Sequence, residues 1–122
     1  MEHQTVARVL ALGRAAVGVA LVAVPARAGS GWVGEASRRP GTQVALASVG
    51  ARDVALGLGT AWAVAGEDGA RPWLLASAGC DVVDLLATLR HRDLVSRNAV
   101  IGLSAVIGGS AAAGLWLARQ LD

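Results

Sequence analysis

The chain has 122 residues, of which 54% are hydrophobic and only 16% charged, against roughly 45–50% and 25% in ordinary soluble domains. It holds no Phe, no Tyr and no Lys, so four Trp stand among Ala, Val, Leu and Ile, and every basic residue is Arg, with a formal net charge of +2. One cysteine, Cys80, excludes an internal disulfide, a CxxC pair and a cysteine-rich metal site, and the distant pair His3 and His91 argues against zinc. The basic residues come in short clusters without stacking aromatics, which excludes a nucleic-acid partner. No cofactor is expected.

The first apolar run covers about Val6–Val24 and is interrupted by Arg14. With Ala26-Arg27-Ala28 after it, the segment also resembles a signal peptide with an A-x-A cleavage site. Cleavage there would export Arg38 and Arg39, against the charge bias of the loops. The connection Pro25–Thr42 is rich in Gly, Ser and Arg and carries Trp32, suited to lying along a membrane interface. A second run, Gln43–Ala65, contains Arg52 and Asp53 and ends near Trp62. The turn Gly66–Arg71 is acidic through Glu67 and Asp68. A third run, Pro72–Leu89, starts beside Trp73 and contains Asp81 and Asp84.

The next connection, Arg90–Asn98, contains HRDLVSRN, which fits the kinase catalytic-loop pattern H-R-D-L-x-x-x-N. A kinase also needs a strand Lys and the Phe of D-F-G, and this chain has neither residue type. The segment reads instead as a connection in which Arg90, Arg92 and Arg97 anchor helix ends and Asp93 or Ser96 caps the following helix. The fourth run, Ala99–Ala118, carries no charge. A helix of about 20 residues rises roughly 30 Å, the thickness of a bilayer's hydrocarbon core. A soluble bundle would need a polar outer face on every helix, and the fourth run has none. The fold class expected is an all-α integral membrane four-helix bundle in a single domain. Its partners are the lipid bilayer and either a second copy or a larger membrane complex.

Arginine placement predicts orientation in a cell inner (plasma) membrane. Arg27, Arg38, Arg39, Arg90, Arg92 and Arg97 fall in the first and third connections, whereas Arg8, Arg71 and Arg119 lie on the opposite side. Loops 25–42 and 90–98 are therefore expected in the cytoplasm and both termini outside.

Helical spacing sorts the span residues onto faces. Ser77, Asp81, Asp84 and Thr88 form an entirely polar stripe; Gly50, Asp53, Gly57 and Thr60 form another, with Arg52 beside it. The first run offers Arg14, Gly18, Leu21 and Pro25, and the fourth a smooth face of Asn98, Gly102, Ala105 and Gly109 suited to close approach. Gly108-Gly109 and Ser110-x-x-x-Gly114 add a helix-contact signal.

An ionised residue near mid-membrane costs about 2.5–3.5 kcal/mol on insertion scales, so five unpaired ones would cost roughly 12–18 kcal/mol. Arg14 and Arg52 must therefore meet Asp53, Asp81 and Asp84 in an intramembrane charge cluster, which leaves one carboxylate over; an acid buried without a partner favours its neutral form. The bland interpretation is a network that fixes helix pairing. The competing one is a site that handles a proton or cation, or a polar pocket for a small ligand. Cys80 reads as a small buried filler.

GARDVALGLG (Gly50–Gly59), Trp73 and DVVDL (Asp81–Leu85), together with Arg14, Gly18 and Pro25 in the first span, resemble a group of small actinobacterial four-span membrane proteins known only as a domain of unknown function. The resemblance implies the four-helix membrane fold and makes Arg52, Asp53, Asp81 and Asp84 the group's typical charged positions. It implies no activity. The function expected is a structural or accessory membrane component. A proton- or cation-coupled transporter or channel subunit is the alternative, and a membrane enzyme acting on a lipid or isoprenoid, with an Asp as general acid, is less favoured because no nucleophile–base pair, metal-ligand set or phosphate cradle accompanies the acids.

Overall fold

A computed structural model describes residues 2–66 and 69–121; the acidic pair Glu67 and Asp68 lies outside them. The described chain is α-helical: α1 (Glu2–Ala23), α2 (Pro25–Val33), α3 (Pro40–Ala65), α4 (Arg71–Arg90) and α5 (Arg97–Gln120). Short 3₁₀ turns at Gly34–Arg38 and Arg92–Leu94 link α2 to α3 and α4 to α5. α1, α3, α4 and α5 are each long and apolar enough to cross a membrane.

Proline sets several of these starts. Pro25, Pro40 and Pro72 all sit in the first turn of a helix, where the missing N–H has no intrahelical acceptor to lose. Pro40 thus starts α3 a turn before the apolar run. The connection expected over Pro25–Thr42 is largely helical; it contains α2, which Gly34 ends at φ +61°, a conformation open to glycine. Ala26, Arg27 and Ala28 lie inside α2, so the A-x-A triplet is part of a folded helix.

The long helices pack as two antiparallel pairs. In the first, α1 and α3 meet backbone to backbone: a Cβ on Gly50 would lie 2.6 Å from the Gly18 carbonyl oxygen, and one on Gly57 2.5 Å from that of Ala11. Small residues at this seam let the two backbones approach as closely as membrane helices do. The second pair, α4 and α5, meets where Gly114 lies against Ala78 and the Leu74 carbonyl. An apolar cluster of Ala7, Ala63, Val64, Ala70, Leu74 and Leu117 closes the end that carries the termini, with Trp73 packed on it. At the other end α2 ties the pairs together, with Gly29 against Leu46 of α3 and the Trp32 Nε1–H donating to Thr88 Oγ1 of α4 at 3.0 Å. The outward faces carry Val9, Val44, Val83, Ile101 and Val106, all exposed. Trp62 and Trp116 are exposed as well, and the Trp116 ring meets His3 edge-on at 5.0 Å.

The smooth face of α5 lies on the outside of the bundle. Asn98, Gly102, Ala105 and Gly109 face outward, and the helix buries Ala111, Gly114, Leu117 and Ala118 instead. Both faces are built from small or apolar residues, so hydrophobicity alone does not choose between them. Ser110 and Gly114 do form a helix contact, whereas a Cβ on Gly109 would meet nothing within 4 Å.

Candidate functional site

Arg14, Asp53 and Asp81 each lie near the middle of their own helix, so the sequence places charge at the same depth in α1, α3 and α4. The structure joins all five charged residues into one chain. Arg14 reaches out of the α1–α3 seam and donates to Asp81 Oδ2 at 2.5 Å, to Asp53 Oδ1 at 3.3 Å and to Ser110 Oγ at 3.2 Å. Arg52 donates to both oxygens of Asp84, at 3.1 and 2.6 Å, and to Asp53 Oδ1 at 3.1 Å. The order is Asp81, Arg14, Asp53, Arg52, Asp84, with Asp53 Oδ1 accepting from both guanidiniums. Arg14 thus bonds to a residue on each of the other long helices.

This arrangement corrects one expectation: the surplus acid has no vacant position. Two guanidiniums serve three carboxylates by sharing the central one, and every Asp of the set has an Arg partner. Side-chain exposure runs from 7% at Asp81 to 28% at Arg52, so the Asp81–Arg14 end is the more enclosed one. Beyond Asp84 the polar stripe continues through Thr88, whose hydroxyl donates to the Asp84 carbonyl at 2.8 Å and accepts from Trp32. Gly50, Asp53, Gly57 and Thr60, the α3 stripe read from spacing, are all buried. On α4, Ser77, Asp81 and Thr88 are buried too.

Two members of the site escaped sequence reasoning. Ser110 was read as a contact residue and is in fact a hydrogen-bond acceptor for Arg14; its signal was that Ser104 and Ser110 are the only hydroxyls in an uncharged run. Spacing gives no sign that the Trp32 indole is bonded to Thr88. The HRDLVSRN segment is exposed except at Val95. Ser96 Oγ accepts from the Ala99 N–H at 3.2 Å as a helix cap, the role read for that residue. Cys80 is a free, half-buried thiol.

Next to Arg14 a cavity of about 30 Å³ opens between the two helix pairs, lined among others by Thr60, Ser77 and Ser110. No family model matches the sequence, and no curated protein or solved structure matches the chain. The site's chemistry therefore rests on its geometry.

Proposed function

We propose that this chain is a small membrane-spanning structural or accessory component, held by a charge chain that staples one helix pair to the other. The observation that carries this reading is that each of Arg14, Arg52, Asp53, Asp81 and Asp84 is engaged by another member of the set. A buried charge is tolerated when it is paired and hydrogen-bonded, and interhelical polar bonds hold membrane helices together where apolar burial gives no preference. An enzyme working on a lipid or isoprenoid would need room for it; ligand pockets run to about 300–1,000 Å³, and the cavity at Arg14 is about 30 Å³. The arginine bias supports an inner-membrane orientation with residues 25–42 and 90–98 on the cytoplasmic side. The resemblance to the small actinobacterial four-span group is compatible with this reading and adds no activity to it.

The test is to measure proton flux across proteoliposomes together with the thermal stability of the protein in them. The structural reading expects flux no greater than in empty vesicles and a lowered melting temperature for Asp81→Asn. Flux in the wild type that Asp81→Asn abolishes without loss of stability would replace this reading with the proton-transport one.

A further inference from the structure

Ser77 lies in the middle of α4, is 7% exposed, and its hydroxyl has no hydrogen-bond partner among the described residues. Thr60 Oγ1 donates to the Leu56 carbonyl at 2.7 Å and Thr88 Oγ1 to that of Asp84 at 2.8 Å, whereas Ser104 Oγ on α5 shares the unpartnered state of Ser77 but does not line the cavity. An unmade hydrogen bond at a buried group is costly, and a helical serine has the carbonyl one turn back available to it. Ser77 makes no such bond and lines the cavity between the helix pairs. Unlike Ser104, it borders a space that can supply a partner.

The cavity's size and chemistry name the occupant. It measures about 30 Å³, and one water takes about 10–15 Å³ of such volume and requires two to four polar partners. Arg14 has five N–H donors and spends them on Asp53, Asp81 and Ser110 only in part, so a residue with donors to spare lines the same cavity. Thr60 and Ser110 keep oxygen lone pairs on the same wall. No acidic residue lines the space, which disfavours a cation, and two carboxylates already balance Arg14, which disfavours an anion.

We propose that this cavity is a hydration site in which one or two water molecules are held by Ser77, Arg14, Thr60 and Ser110. The water gives Ser77 its missing partner and solvates the enclosed end of the charge chain. Leu74 and Leu117, which line the cavity, also belong to the apolar cluster that closes the terminal end, so the water is separated from the solution on that side. The site stands whether the charge chain staples helices or serves transport.

Solid-state NMR of the full chain in lipid bilayers tests this through the rate of polarisation transfer from water to alanine methyls. Ala11 and Ala78 line the cavity; Ala15 is equally buried, packs into the α1–α3 seam beside Gly57 and does not line it. Transfer in the wild type is expected to build up several-fold faster at Ala11 and Ala78 than at Ala15, and equal rates at the three methyls would overturn the proposal. Ser77→Val, which removes the hydroxyl and fills the space, is expected to abolish the difference. A difference that persists in a folded Ser77→Val chain would overturn the role given to Ser77. The wild-type comparison decides the matter even if that variant does not fold.

Discussion

Replacing each aspartate of the charge chain by asparagine, one at a time, distinguishes a staple from a mere collection of charges. Every such change leaves two arginines against two acids, so net charge does not separate the variants; geometry does. Asp81→Asn removes one of the two ion partners of Arg14 at the enclosed end, where side-chain exposure is 7%. Breaking a buried pair costs about 3–5 kcal/mol, and because Arg14 keeps Asp53 the loss should fall to about 2–3 kcal/mol. Asp84→Asn removes the carboxylate that takes two bonds from Arg52, which likewise keeps Asp53; no solvent screens the pair at that depth, so its loss should also be about 2–3 kcal/mol. Asp53→Asn is the informative case. Only Oδ1 of Asp53 accepts from the guanidiniums, and an asparagine carbonyl can occupy the same place, leaving two matched Arg–Asp pairs on either side. Its expected change is within about 1 kcal/mol, the net worth of an ordinary hydrogen bond. Reversible unfolding in bicelles, followed by tryptophan fluorescence, gives the three values. An Asp53→Asn variant as unstable as Asp81→Asn would refute the assignment of Asp53 as the shared, surplus acid.

Gly57→Ala should destabilise by about 1–3 kcal/mol through overpacking of the α1–α3 seam, whereas Gly102→Ala, whose Cβ meets nothing within 4 Å, should be neutral or slightly stabilising; the same unfolding measurement compares them. Trp32→Phe deletes the indole donor to Thr88 and should cost about 0.6 kcal/mol, and no more than about 1.7, the range found for polar bonds between membrane helices. Reporter fusions after Leu94 and after Asp122 should show the first in the cytoplasm and the second outside, and the reverse pattern would invert the orientation drawn from the arginines.

How much of this was legible in the sequence depended on contrast. Charged residues inside apolar runs stand out, and helical spacing was enough to place Ser77, Asp81 and Asp84 on one side of α4 and Gly50, Asp53 and Gly57 on one side of α3. Pairing could be required from the cost of unpaired charge, yet the sharing of Asp53 could not, because it depends on how far α1 stands from α4. α2 was hidden by composition: Gly29, Gly31 and Gly34 within and just after nine residues read as a loop, and only tertiary contact through Gly29 and Trp32 favours the helix there. The inward face of α5 was hidden for the opposite reason, since alanine, glycine and isoleucine lie all around it and the deciding signals were two serines, one of them bonded to a residue far away in the chain.

The distribution of charge along the chain also bears on the order of synthesis. The first helix pair emerges carrying Arg14, Arg52 and Asp53, one positive charge in excess, and the second follows with Asp81 and Asp84, two negative ones. Neither half is complete as made. Until the later pair is made, Arg14 and Arg52 have only Asp53 of the set between them. An orphaned half carries uncompensated charge in the bilayer, the kind of defect by which quality-control proteases recognise an unfinished membrane protein.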